Sequence, residues 1–274
     1  MWRVIDTGLM DAAANMAIDE AILLSHTRDE VPPTLRLYGW KQPAVSLGYF
    51  QKSQDEIDLA VCAEQGIPVV RRMTGGRAVL HDAELTYSLV VKENNKDIPK
   101  SITASYRYFS GGLIKGLNKL GIKAQMNMPR QAYGQGRPDR HHTSAACFDA
   151  SSHYEVTYEG KKLIGSAQVR KQGVILQHGS ILLRFSPEKL IGILKWKSPA
   201  QRAAAAKLLA QNVASLELAG QGIKRQTLCS AIISGFSEQL GINLIPQELS
   251  AEETAASREL AAVKYSQASW NLKR

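Results

Sequence analysis

Apolar residues recur along this chain with two different periods, and the switch between them outlines its elements. Residues 10–24 carry Ala13, Met16, Ala17, Ala21 and Leu24 on one helical face, with Asp11 placed to cap the N-terminus. Pro32-Pro33 then breaks the chain. Residues 34–38 and 44–47 read as short strands around the turn Gly39-Trp40-Lys41-Gln42-Pro43. Residues 55–64 predict a helix ended by Gly66. Residues 68–72 and 85–91 predict strands with a glycine-containing turn between them. The strongest helical signal covers 101–120, where Ile102, Tyr106, Phe109, Leu113 and Leu117 share a face before Gly121. Residues 131–146 are polar and irregular and read as a loop. A hairpin follows, 154–158 and 162–169 around Glu159-Gly160, and 174–177 and 181–185 extend the sheet. After Ser186-Pro187 the pattern turns helical over 199–218, 226–240 and 251–264.

Strands and helices mix up to about residue 185 and the last third is helical, which predicts an α+β fold rather than a wound parallel sheet. No flexible linker sets the tail apart. Residues 1–274 are therefore expected to form a single domain, with the helical tail from about residue 186 packed on it.

Composition narrows the class. Of 274 residues, 44% are hydrophobic and 22% charged, the balance of a globular chain with a sizeable core. No apolar run reaches the length of a membrane span, and the first residues lack the apolar core of a secretory signal, so no membrane partner is expected. Cys62, Cys147 and Cys229 are odd in number and far apart; they argue against a disulfide framework and for a cytoplasmic location. None has a second cysteine at metal-site spacing, so no metal is expected. The net charge of +9 fits either plain solubility or an acidic partner. Aromatics are only 7% and no basic–aromatic stretch or recognition helix stands out, which argues against nucleic acid.

Four stretches carry candidate chemistry. Arg71-Arg72-Met73-Thr74-Gly75-Gly76-Arg77 leads through a tight turn into an apolar strand ending at His81-Asp82. Its glycines let the backbone approach a ligand and aim N–H groups at an oxygen; a plain hairpin turn with exposed arginines is the alternative. In Lys162-Leu163-Ile164-Gly165-Ser166-Ala167, the small residues leave room along a strand, with Lys162 at its rim or simply solvated. Cys147 follows the polar loop in a basic setting (Lys123, Arg130, Arg137 and Arg140), which favours a thiolate; a buried, inert thiol is the alternative. His178, in Gln177-His178-Gly179-Ser180, lines a pocket or is a satisfied core histidine.

The strings from Arg71 to Asp82 and from Lys162 to Ala167, in this order, resemble the motifs of the lipoate/biotin protein ligase superfamily. The fuller strings, with Arg77 where ligases often carry a third glycine and Cys147-Phe148 before the hairpin, look most like its cysteine-dependent octanoyltransferase branch. The resemblance implies a class II synthetase/biotin ligase-type, largely antiparallel sheet flanked by helices. It implies transfer of an octanoyl group from octanoyl-acyl carrier protein to a lysine of a lipoyl-accepting protein, the glycine cleavage H protein or another lipoyl domain, without a cofactor. Cys147 would be the nucleophile, and Lys162 would stabilise its thiolate or the carbonyl oxygen. Arg72, Gly75, Gly76, Arg77, His81, Gly165, Ser166, Ala167 and His178 would bind substrate. The alternatives within the superfamily are an ATP-dependent lipoate or octanoate ligase and a transferase that moves octanoyl between lipoyl proteins.

Overall fold

The computed structural model describes residues 1–127, 155–220 and 222–273. Its strands are β1 (Trp2–Met10), β2 (Thr34–Trp40), β3 (Ala44–Leu47), β4 (Val69–Arg71), β5 (Val79–His81), β6 (Glu84–Lys92), β7 (Ala124–Met126), β8 (Val156–Tyr158), β9 (Lys161–Lys171), β10 (Val174–Leu182) and β11 (Leu244–Pro246). Its helices are α1 (Ala12–Thr27), α2 (Ser53–Glu56), α3 (Leu59–Glu64), α4 (Ile102–Lys119), α5 (Pro187–Gly192), α6 (Pro199–Asn212), α7 (Arg225–Leu240), α8 (Ala251–Leu260) and α9 (Ala268–Asn271).

The large sheet runs β11-β1-β2-β6-β10-β9-β8-β7. Only its first three strands are mutually parallel; every pair from β2 onward is antiparallel. One face packs on α4 and α7. There Leu35, Leu37, Leu85 and Tyr87 meet Phe109, Leu113, Leu117, Ile232 and Phe236. On the other face Ile5, Val90, Val174 and Leu176 meet Ile18, Ile22 and Leu23 of α1. The period of two along β2, β6 and β10 therefore separates two cores, each fully buried Leu or Ile side chain adding about 1.5–3 kcal/mol. A smaller sheet, β4-β3-β5, stands beside it.

Local signals set several boundaries. Asp11 caps α1 by accepting from Ala14 N, and Ser101 caps α4 through Ala104 N. Glu159 and Gly160 both take positive φ in the β8–β9 turn, and Gln172 and Gly173 do so between β9 and β10.

Other expectations are corrected by tertiary pairing. Residues 34–38 and 44–47 lie in different sheets, because β3 leaves β2 to sit between β4 and β5. The Gly-Gly turn thus joins the two flanking strands of the small sheet rather than a hairpin. The helix expected over 55–64 is split at Ile57, which bridges to Leu194. Residues 174–182 form one continuous strand. The tail is not wholly helical: α6 ends at Asn212, where the chain turns to bridge Val213 to Lys162, and β11 extends the large sheet beside β1. A π-helical turn, Ala261–Tyr265, follows α8.

Candidate active site

Helix α1 is buried on more than its apolar stripe, because the sheet covers one side and α8 with the π-helical turn covers the other. Its inward side carries Asn15 and Asp19, one helical turn apart. Arg36, projecting from β2, donates to Asp19 Oδ1 at 2.7 Å and to Asn15 Oδ1 at 2.7 Å. Ser88 Oγ donates to the same Asp19 oxygen at 2.7 Å, and Tyr38 OH to Oδ2 at 3.2 Å. Burial opposes ionisation of Asp19, but the Arg36 guanidinium, with hydrogen bonds from His178 and Ser88, outweighs it and holds the carboxyl below its ordinary range.

His178 stands on β10 opposite this carboxylate, its Nδ1 3.5 Å from Asp19 Oδ2. Burial pushes its pKa down, and Asp19, which acts in the opposite sense, does not restore it. The ring is thus neutral near pH 7. Its Nε2 lies 2.7 Å from Thr74 Oγ1, which itself accepts from Arg72 Nε at 3.1 Å. The Thr74 hydroxyl therefore donates to Nε2, and the ring proton sits on Nδ1, toward Asp19.

Arg72 is a scaffold for the Gly-Gly turn. Its Nη1 donates to Ser46 O at 2.9 Å, and its Nη2 to Gly75 O and Arg77 O, each at 2.8 Å. Gly76 has φ +97°, and a Cβ there would meet Arg72 Nη2 at 2.8 Å. Both the backbone conformation and the close approach require glycine. His81 ends β5, stacked on Trp40 at 3.9 Å and held between Ser46 Oγ and Glu84 Oε1.

These elements surround one cavity. Arg72, Gly76, His81, Gly165, Ser166, Ala167 and His178, all singled out in the sequence, line it. Its wall also includes Met16, Tyr38, Ser46, Thr86 and Ser180, which sequence reasoning did not assign to a site. The polar pair Asn15 and Asp19, one turn apart on α1, was the signal available for that side.

Gly75 and Arg77 are not part of the lining; both serve as carbonyl acceptors for Arg72. Lys162 is not part of the lining either. It is buried, and its ammonium pairs with Glu155 Oε1 at 2.5 Å. Cys147 lies outside the described residues. Cys62 and Cys229 are buried; burial raises the Cys62 thiol pKa to about 11 and pushes Cys229 up as well. Among the described residues no cluster of three metal-binding side chains occurs, and no helix is long and apolar enough to cross a membrane.

Residues 11–237 match the lipoyl protein ligase A/B catalytic domain. The chain is 48% identical to the octanoyltransferase LipM of Kyrpidia tusciae, over all of this chain and 99% of that protein. It is 45% identical to the octanoyltransferase LipM of Geobacillus kaustophilus, with the same coverage. Among solved structures it is similar to a bipartite lipoate protein ligase from Thermoplasma acidophilum, with a TM-score of 0.80 and 27% identity over 98% of this chain and 95% of that one. It is also similar to a lipoate-protein ligase A bound with ATP, with a TM-score of 0.76 and 27% identity over 99% and 97% of the two chains.

Proposed function

The chain belongs to the lipoyl protein ligase A/B catalytic-domain family and is an octanoyltransferase of protein lipoylation, and from that premise we propose that it acts through an acyl-cysteine at Cys147. The donor is octanoyl-acyl carrier protein and the acceptor is a lysine of a lipoyl-accepting protein, the glycine cleavage H protein. The Cys147 thiolate attacks the donor's thioester carbonyl. The bond to the phosphopantetheine sulfur breaks, that sulfur takes up a proton, and octanoyl-Cys147 remains. The neutral amine of the acceptor lysine then attacks the second thioester. An amide forms, the Cys147 sulfur leaves, and the amine's surplus proton is released. One difficult transfer becomes two easier ones, and the thioester supplies the driving force that ATP supplies in a ligase.

The observation that carries this reading is the convergence of both sequence motifs on one cavity. Gly76 comes from the first motif and Gly165, Ser166 and Ala167 from the second. Small residues from both motifs leave space for an acyl group between these walls. The raised thiol pKa values of Cys62 and Cys229 support Cys147 as the nucleophile. In this reading the Lys162 ammonium stabilises the thiolate or the carbonyl oxygen, while Arg72 and His178 shape the wall. The net charge of +9 fits acidic donor and acceptor proteins. Two free, buried cysteines fit a reducing cytoplasm. Contacts such as Arg3 Nη1 to Glu253 Oε2, 2.9 Å long, support a single unit over residues 1–274.

The test is to mix the protein with octanoyl-acyl carrier protein and weigh it intact. An octanoyl adduct that disappears in Cys147→Ala is expected, followed by its passage to the H protein lysine. No adduct, or one that survives the substitution, removes the covalent route. Acceptor modification from free octanoate and ATP would instead mark a ligase, and modification from octanoylated H protein a transferase between lipoyl proteins.

A further inference from the structure

The cavity holds a second set of reactive groups that the transfer above does not use. Ser46, in β3, is shut off from bulk water but lines the cavity beside Gly76 and His178. Its Oγ lies 2.7 Å from His81 Nε2, and His81 Nδ1 lies 2.9 Å from Glu84 Oε1. The antiparallel pairing of β3 with β5 sets Ala44 opposite His81 and Ser46 opposite Val79. Serine and imidazole are thus diagonal neighbours across the small sheet.

The hydrogen bonds fix which atom carries which proton. Glu84 Oε1 also receives Trp40 Nε1 at 3.2 Å, Thr86 Oγ1 at 2.5 Å and Ser180 Oγ at 2.7 Å, so it acts as an acceptor. The ring proton of His81 therefore sits on Nδ1, and Nε2 presents a lone pair. Ser46 Oγ accepts from Arg72 Nη1 at 3.1 Å, which leaves its own O–H aimed at Nε2. Trp40 stacks on the imidazole with 11° between planes and holds the ring in this orientation.

We infer that Ser46, His81 and Glu84 form a nucleophile–base–orienter relay that gives the protein a second activity, the hydrolysis of medium-chain acyl esters and thioesters through an acyl-Ser46 ester. Ser46 Oγ bonds to the acyl carbonyl carbon as its proton passes to His81 Nε2. The ester or thioester bond breaks, and the leaving oxygen or sulfur takes that proton. Water then attacks the acyl-serine, again giving its proton to Nε2, and the fatty acid leaves as Ser46 recovers its hydrogen. The guanidinium beside Oγ favours the developing alkoxide, and the fixed carboxylate orients the base, the geometry by which such relays are recognised across unrelated folds. The class of acyl group rests on reading the cavity as the octanoyl site; the identity of the nucleophile rests on the three side chains alone.

The test uses an alkyl fluorophosphonate on the unmodified protein, read by intact mass and peptide mapping. A single phosphonyl adduct on Ser46 is expected. Hydrolysis of p-nitrophenyl octanoate by the Cys147→Ala protein is also expected, falling about 100-fold or more when Ser46→Ala is added. No adduct, an adduct elsewhere, or hydrolysis indifferent to Ser46→Ala overturns the inference, and an adduct without ester hydrolysis overturns the activity. Because the first readout needs no variant, a poorly folding substitution does not blunt it. Failure of the Cys147 reading shows separately, as a missing octanoyl adduct from the carrier protein.

Discussion

His178 Nε2 accepts a hydrogen bond from Thr74 Oγ1 across 2.7 Å, joining β10 to the Gly-Gly turn of the small sheet over 104 residues of sequence. This bond couples the two halves of the cavity. Thr74→Val and His178→Ala should each destabilise the fold, and a double-mutant cycle in urea should return a coupling of about 1 kcal/mol, as for a buried neutral hydrogen bond. A coupling indistinguishable from zero would show that the halves are held together by other contacts.

The same histidine sets a pH dependence. Burial holds His178 and His26 below their ordinary value of 6.5, so between that value and the folded one the unfolded chain binds protons that the folded chain refuses. Their contribution to stability is complete above about pH 6.5 and is lost as pH falls through that window. Asp19 and Glu20, held below 3.8 and 4.5, add a further loss at lower pH, where their carboxyls protonate. Urea midpoints should therefore fall between about pH 7 and about pH 5, and less so in the His26→Gln, His178→Gln double variant. An unchanged slope in that variant would assign the effect to other groups.

Glycine positions separate backbone need from open space. At Gly179 a Cβ would meet Ser166 Oγ at 2.4 Å and Gly165 O at 2.6 Å, so Gly179→Ala must push β9 away from β10. A loss of about 1–3 kcal/mol is expected from such overpacking, with a matching fall in octanoyl loading. Gly192 has nothing within 4 Å and an ordinary φ. Gly192→Ala should be neutral or stabilising by up to about 1 kcal/mol. Thermal unfolding of the pair checks both, and equal effects would contradict the steric account.

What the sequence made legible, and what it hid, follows from the range of the interactions. Asp11 and Glu159-Gly160 act within a few residues and marked α1 and the β8–β9 turn correctly, and the apolar spacing from Ile102 to Leu117 marked α4. Seven residues drawn from the two motif strings and from the Gln177–Ser180 stretch do line one cavity. Asp19 was passed over because its partners Arg36, Ser88 and His178 come from three separate strands, and Glu20 because its burial depends on the C-terminal segment: Tyr265 OH reaches Glu20 Oε2 at 2.8 Å from 245 residues away. Ser46 was passed over because its strand reads as a partner of β2, whereas it pairs with β4 and β5. The tail's β11 was missed for the same reason, as three residues carry no period of their own.

The C-terminal turn braces the first motif. Asn271 Oδ1 accepts from Arg71 N at 2.9 Å, and Trp270 Nε1 donates to Arg71 O at 2.9 Å, so two side chains satisfy both backbone groups of one residue in β4. Arg71 in turn donates from Nη1 to the carbonyls of Gly48 and Gln51, each at 2.8 Å. Asn271→Ala leaves a buried N–H without that acceptor and should cost about 1–3 kcal/mol. Trp270→Phe, which keeps the ring and deprives only the Arg71 carbonyl of this donor, should cost less. Denaturation curves that rank the two the other way would rule out the bracing role.

Lys162 and Glu155 pose the problem of separating structure from chemistry at one buried pair. Both side chains are about 6% exposed, with Nζ 2.5 Å from Oε1. Removing the ammonium alone deprives a buried carboxylate of this partner, so Lys162→Met should destabilise the fold by about 3–5 kcal/mol. A loss of transfer in that variant would therefore be ambiguous. Adding Glu155→Gln removes that carboxylate's charge and should return most of the stability, since replacing both members of a buried pair is often close to neutral. If Lys162 serves the thiolate or the carbonyl oxygen, the double variant stays folded while octanoyl loading from the carrier protein remains depressed by about 100-fold or more. If the lysine only neutralises Glu155, loading returns together with the urea midpoint. Stopped intact-mass time courses on the two variants, set beside their denaturation curves, distinguish these outcomes.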